Sequence, residues 1–468
     1  MLPRLQLCWF VFIGVALASC TTPAALKQPD LKRLYEISSS DRFQAPVIVI
    51  HGVLGAKIRS FPDRQEVWPG SIGQLLFGDY DGLRLNIESD ILEPDFSNSE
   101  AYALFDEVGG NDYYGRIVRT LSEAGGYKLS SPGLANPQHD ARVYVFVYDW
   151  RQDLTKSAAQ LEQFIDKVRL DYGMPQMKVD IVAHSMGSLI TRYFLRYGSA
   201  DVLADTQFQP DSSGTSRVRK VVLVGAPNLG SVSGLQQFLM GFKVGSGHIS
   251  PEVLATMPSS YQLLPHPDRD WMVTPDGSKD RRNLYEMETW RSFQWSIFDP
   301  MVIEDIRSRF KSENEADQHI SLLERYFEKH LKRGQQFHRA ISIPMQRSPV
   351  RYIVFGGDCE LTPARCLIET VDGKVVIRLH PENIVNKTKG IDYEKLMLEP
   401  GDGRVTKPSL LARNALDPSV PGRGAEVFPL AYSLFLCEEH SQLTGNINFQ
   451  DNLLNVLLLQ ETTEDRMQ

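Results

Sequence analysis

A serine set between two small residues, with carboxylates and then a late histidine following it along the chain, is a combination able to carry out acyl transfer. The serine is Ser185, in Ala183-His184-Ser185-Met186-Gly187. A serine hydroxyl is a weak nucleophile near neutral pH, so it needs a base to take its proton and an acid to orient that base. Serine, acid, histidine is one of the chain orders in which such triads occur. After His380 the sequence holds a single histidine, His440, which makes it the candidate base. Two aspartates compete as the acid. Asp402 lies in Gly401-Asp402-Gly403, where glycines let the carboxylate approach a partner, and Asp358 follows the apolar run ending at Phe355; Asp402 is preferred. Asp149 precedes the serine and is read as structural, positioning its loop with Arg151.

Such side chains need a scaffold that delivers each of them to one place. Val179 to Ala183 reads as a buried parallel strand, and Leu189, Ile190, Tyr193, Phe194 and Tyr197 recur with helical spacing up to Gly198. Ser185 therefore sits at a sharp strand-to-helix turn, which the small Ala183 and Gly187 permit. Further buried strands are predicted at Val47–Ile50, Val143–Tyr148, Val221–Val224, Tyr352–Phe355 and Phe428–Cys437, with helices at 113–121 and 154–172 and after His440. Strand and helix alternate, as in a mostly parallel, doubly wound α/β sheet. In folds with such an elbow, one oxyanion-hole N–H comes from the loop after the first strand and the other from the residue after the serine, which nominates Val53, in His51-Gly52-Val53-Leu54-Gly55, and Met186. Residues 59–107, with Trp68, Leu75, Leu76, Phe77 and Tyr80 among glycines, read as an irregular lid or membrane-contact loop. Residues 232–347 break the strand–helix rhythm and read as a cap, carrying Trp271, Trp290, Trp295 and an amphipathic helical stretch from Ile303 to Leu331. The core is expected over 45–231 and again over 348–468.

With 468 residues and 42% hydrophobic side chains the chain can bury a large core. A formal charge of −8 leaves no basic stripe for nucleic acid, so no nucleic-acid partner is expected. Residues 1–19 resemble an export signal: Arg4, an apolar run from Leu5 to Leu17, then Leu17-Ala18-Ser19-Cys20. That ending resembles the lipobox of bacterial lipoproteins, which implies lipidation at Cys20, a polar tether over 20–44, and a lipid-anchored place in the bacterial cell envelope; Thr21 favours the outer membrane. Export allows a short disulfide between Cys359 and Cys366, with Cys437 left as a buried thiol. No spacing of His and Cys suggests a metal site, and no cofactor is expected.

Taken together, His51-Gly52-Val53-Leu54-Gly55, Gly126-Tyr127, Tyr148-Asp149-Trp150-Arg151, Ala183-His184-Ser185-Met186-Gly187, Ala226-Pro227-Asn228-Leu229-Gly230-Ser231, Leu263-Leu264-Pro265 and Gly401-Asp402-Gly403 resemble, in order, the lecithin:cholesterol acyltransferase family. The resemblance implies an α/β-hydrolase fold with lid and cap, activity on lipid acyl esters at interfaces without a cofactor, and Ser185, Asp402 and His440 at the triad positions. The chain departs from the family at His51-Gly52, where animal members have Pro-Gly, at Arg404, where Thr is more usual, and in lacking a Cys pair around the first lid loop. Two other readings are a non-catalytic lipid-binding lipoprotein and a hydrolase of soluble esters or thioesters.

Overall fold

The computed structural model describes residues 28–40, 44–71, 73, 78–108, 111–112, 114–204, 207–345, 347–413 and 427–459. Residues 1–27, and with them the export signal and Cys20, lie outside the described residues, as do Leu75, Leu76 and Phe77 of the expected lid.

The chain enters through helix α1 (Leu31–Ser40) and passes into strand β1 (Val47–Ile50). Next come β2 (Lys128–Ser130), β3 (Arg142–Phe146), helix α2 (Leu154–Asp171), β4 (Val179–His184), helix α3 (Met186–Tyr197) and β5 (Val218–Val224). A long helix, α4 (Glu313–Ile341), precedes β6 (Arg351–Gly357), β7 (Leu430–Leu436) and the closing helix α5 (Ile447–Leu454). The seven strands form one sheet in the order β7-β6-β5-β4-β1-β3-β2, every pair parallel. All strands thus point the same way, and their C-terminal ends share one rim.

The unbroken apolar runs follow from burial on both faces, because successive residues of a strand point to opposite sides. Val47, Val49, Val182, Val222, Val224, Ile353 and Phe355 pack under one face with Leu453 and Leu457. Ile48, Ile50, Ile181, Ala183, Val221, Leu223 and Val354 pack on the other with Leu161, Ile165, Leu189 and Phe194. Helix α2 begins at Asp153, whose side chain accepts a hydrogen bond from the Thr155 N–H.

Four expectations change. The stretch predicted as a tether contains α1, whose buried Leu31 and Tyr35 lie one turn apart and dock against the C-terminal region; the Tyr35 hydroxyl donates to the Asp451 carboxylate at 2.8 Å. Two segments of the predicted lid are not irregular: Glu66–Trp68 and Ser99–Leu104 pair antiparallel with Ala56–Ser60. Trp68 and Tyr80 are buried there rather than presented to a surface. The expected disulfide is also wrong. Cys359 pairs with Cys437, and Cys366 is the buried free thiol. Neighbours in sequence are not neighbours here, since Cys366 opens a strand that runs beside Met272–Val273. Cys359 and Cys437 instead follow β6 and β7, whose ends are paired at Gly357 and Leu436, leaving 4.9 Å between their Cα atoms. Finally, the amphipathic stretch from Ile303 is split into Pro300–Ser308 and α4, because Ser312 caps a new helix by accepting from the Glu315 N–H.

Candidate active site

The rim at the C-terminal ends of the strands collects the residues singled out above. Between β4 and α3 the backbone turns at Ser185 with φ 52° and ψ −123°, a left-handed conformation that a non-glycine residue holds only where the surroundings enforce it. The enforcement is visible on both sides. The Ser185 N–H donates to the Val224 carbonyl on β5 at 2.7 Å. A Cβ on Gly187 would stand 2.5 Å from the His51 carbonyl oxygen and 2.9 Å from Ile50 Cγ2. Only glycine lets the start of α3 press against the end of β1, and a Cβ on Gly52 would meet Ser185 Cβ at 2.8 Å. The loop that carries Val53 is therefore packed directly on the turn that carries Ser185 and Met186.

His440, four residues beyond β7, accepts the Ser185 hydroxyl at Nε2, 3.0 Å away. Its Nδ1 lies 2.8 Å from Asp402 Oδ2. With the hydroxyl proton directed at Nε2, Nδ1 carries the ring proton and donates to the carboxylate. The other carboxylate oxygen accepts the Arg404 and Val405 N–H groups at 3.0 and 2.7 Å, and the His440 N–H donates to the Asp402 carbonyl at 2.9 Å. Asp402 is thus buried with both carboxylate oxygens hydrogen-bonded, as a polar group away from water must be. Asp358, the competing candidate, accepts instead from Lys407 Nζ at 2.6 Å. Asp149 grips Arg151 through both carboxylate oxygens, as the structural reading expected.

Residues that the sequence did not single out tie these parts together. The Tyr114 hydroxyl accepts the Gly52 N–H at 2.7 Å and stands 2.9 Å from His184 Nδ1. His184 Nε2 in turn faces the His440 carbonyl at 3.4 Å. One proton assignment satisfies the whole chain: Tyr114 donates to Nδ1 of a neutral His184, which donates from Nε2 to the His440 carbonyl. Burial, followed by the nearby His440 ring, pushes His184 down to about 3, so it adds no positive charge beside a base that must become cationic. His51 is also kept neutral, pushed down to about 4 by burial. It stacks on Tyr148 with ring centroids 4.2 Å apart and accepts the Tyr148 N–H at Nε2. No sequence signal marks Tyr114, whose partners lie 62 and 70 residues away.

Beside Val53 and Leu54 opens an apolar cleft lined by Trp150, Phe238, Phe242, Ile249 and Met257. Among the described residues, no group of three or more His, Cys, Asp or Glu side chains could hold a metal ion, and no helix is long and apolar enough to cross a membrane.

The sequence profile described as lecithin:cholesterol acyltransferase matches residues 135–410, more than half of the chain. The chain belongs to that family. The lecithin:cholesterol acyltransferase match includes Ser185 and Asp402 and ends before His440, so the base is placed by the structure alone. No curated protein matches the sequence. Among solved structures, the chain is similar to one from the crystal structure of the Tle4-Tli4 complex, at 17% identity and a TM-score of 0.54 over 89% of this chain and 99% of that one. Lipase 1 from Pelosinus fermentans aligns at 12% identity and a TM-score of 0.36 over 90% and 100% of the two chains. The first likeness bears on the fold, which is that of an α/β hydrolase.

Proposed function

We propose that this chain is a serine esterase that cleaves or transfers the fatty acyl groups of lipids through an acyl-Ser185 intermediate. The observation that carries the reading is the unbroken hydrogen-bonded line Ser185–His440–Asp402 at a strained elbow. Family membership supports an enzyme acting on lipid acyl esters.

In this mechanism His440 Nε2 takes the hydroxyl proton as Ser185 Oγ attacks the ester carbonyl carbon. The imidazolium is stabilised through its Nδ1–H by the Asp402 carboxylate, whose other oxygen is held by two backbone N–H groups. The carbonyl oxygen becomes an oxyanion facing the Val53 and Met186 N–H groups, each such donor being worth about 3 kcal/mol of barrier. His440 then returns the proton to the departing alcohol, leaving the acyl group on Ser185. Water, or a second alcohol, attacks in the reverse sense and frees the serine. The apolar cleft beside Val53 suits the acyl chain, since burial there removes hydrocarbon from water. In this reading export and lipidation of Cys20 hold the enzyme at the bacterial envelope, where such esters are presented at a surface.

The test compares purified protein with its Ser185→Ala variant on vesicles of diacyl lipid, following fatty-acid release while circular dichroism monitors the fold. Loss of release in the folded variant is the expected result. Equal release from both would overturn Ser185 as the nucleophile.

A further inference from the structure

On the acid side of the triad lies a second, small cleft that the mechanism above does not use. Leu229–Val232, Pro363, Ala364 and Trp271 line it, together with Arg269, Arg404 and Thr406. It is continuous with the site through the backbone. The loop 225–231 starts beneath His440, where a Cβ on Gly225 would come 2.9 Å from the ring, and ends in the cleft wall at Ser231. Arg404 is two residues past Asp402, and its N–H is one of the donors that hold that carboxylate.

The charge of this cleft is unbalanced. Arg269 and Arg365 share a single carboxylate, Glu399, at 3.6 and 3.4 Å. No carboxylate among the described residues pairs with Arg404, whose side chain is exposed at the cleft. Among the described residues no acidic side chain lines the cleft. The Arg404 backbone is pinned, its carbonyl accepting the Ser231 hydroxyl at 2.6 Å, and Ser231 caps the N-terminus of the helix Val232–Met240, which adds a further positive potential. An exposed guanidinium without a carboxylate partner among the described residues, on backbone pinned two residues from the triad acid, is the chemistry that recognises a phosphate bearing no compensating ammonium.

Resting on the esterase reading, we infer that this cleft selects acyl-ester lipids whose headgroup is net negative, with Arg404 contacting the headgroup phosphate. A zwitterionic headgroup brings a quaternary ammonium to a cleft whose lining residues include Arg269 and Arg404 and, among the described residues, no carboxylate.

The experiment has two arms. In the first, wild-type and Arg404→Glu enzymes hydrolyse phosphatidylglycerol and phosphatidylcholine of matched acyl chains, presented as monomers below their micelle concentration so that surface charge plays no part. The expected result is a preference for phosphatidylglycerol of about tenfold or more in kcat/KM, falling at least tenfold in Arg404→Glu and partly kept in Arg404→Lys. A wild-type ratio near one, or a ratio unmoved by Arg404→Glu, would overturn the inference. In the second arm calorimetry measures binding of the same two lipids to Ser185→Ala and Ser185→Ala/Arg404→Glu proteins. Selective binding without hydrolysis by the wild type would sink the esterase reading and leave headgroup selection standing; hydrolysis without selectivity would do the reverse. Displacement of bound phosphatidylglycerol by an equal concentration of inorganic phosphate would show a free-phosphate site and count against the lipid headgroup as ligand.

Discussion

Replacing Tyr114 by Phe removes one oxygen and tests whether the oxyanion loop is held in place by the network behind it. The hydroxyl accepts the Gly52 N–H at 2.7 Å and donates to His184 Nδ1 at 2.9 Å, in a site from which water is excluded. Phenylalanine keeps the ring and its packing, so the loss is confined to those two bonds. An orphaned buried N–H costs about 1–3 kcal/mol, and the second bond contributes about 1 kcal/mol more, giving roughly 2–4 kcal/mol and a fall in Tm on the order of 5 °C. The catalytic effect follows from position. Gly52 immediately precedes Val53, and relaxation of Gly52 toward another acceptor swings the Val53 N–H from its aim. Complete loss of one oxyanion donor typically costs about 10²- to 10³-fold in kcat, so partial misalignment should cost about 10- to 100-fold. KM for a short monomeric ester should stay within about twofold, because that donor works on the developing oxyanion and not on the ground-state carbonyl. Steady-state kinetics and a thermal melt are the assay. A melt shifted as expected with kcat unchanged would refute the argument, leaving Tyr114 as a purely structural residue.

Three further outcomes follow from the same geometry. Asp402→Asn should lower kcat by about 10³- to 10⁴-fold by disturbing the tautomer and charge of the pair with His440, whereas Asp358→Asn, which loses only a half-exposed pairing with Lys407, should change kcat by less than about threefold; comparable losses in both would contradict the assignment of the acid. Reducing the Cys359–Cys437 disulfide, or replacing both cysteines by serine, should lower activity several-fold before it unfolds the protein, because Cys437 lies three residues before His440 and the bond ties the ends of β6 and β7 together; activity retained in the folded double variant would show that the β6–β7 pairing alone suffices. Stability should fall as the medium is acidified from about pH 6.5 to pH 4. His51 and His184 are neutral in the fold, pushed down to about 4 and about 3 mainly by burial, while the unfolded chain takes up their protons near the ordinary histidine value. Protonation in this window therefore favours the unfolded state, by about 1.4 kcal/mol per pH unit for each histidine, and chemical denaturation at pH 7 and pH 5 should reveal a difference of several kcal/mol. Equal stability at the two pH values would show that these rings are not buried as neutral groups.

What could be read in the chain before its fold was seen divides along a physical line. The elbow is legible because all that makes it is local: a buried strand, Ala183, Ser185, Gly187 and an amphipathic helix fall within about twenty residues, and each element's period is set by its own burial. The candidate base is legible for a similar reason, as a lone histidine after the last apolar strand. The choice between Asp402 and Asp358 is of another kind. Both follow strand ends, and what separates them is that Leu398–Gly401 pairs antiparallel with Glu360–Pro363, which returns the chain over the end of β6 and sets Asp402 where a Cβ on Gly357 would touch it at 2.9 Å. Nothing in the residues around Asp402 encodes that return. The disulfide fails in sequence for the same cause, since the register of β6 against β7 brings together two cysteines 78 residues apart while a strand carries Cys366 into the core only seven residues after Cys359. Helix α1 is a third case: Leu31 and Tyr35 give it a stripe too narrow to stand alone, and its stability comes from the Asp451 end of the chain. Arg404 completes the pattern. Its type and its place beside Asp402 were plain, but its chemistry depends on charges it does not neighbour in sequence, namely that Arg269 and Arg365 have already taken Glu399. A guanidinium without a carboxylate partner among the described residues is a property of the assembled rim, and it is there that the proposed selection among headgroups is to be tested.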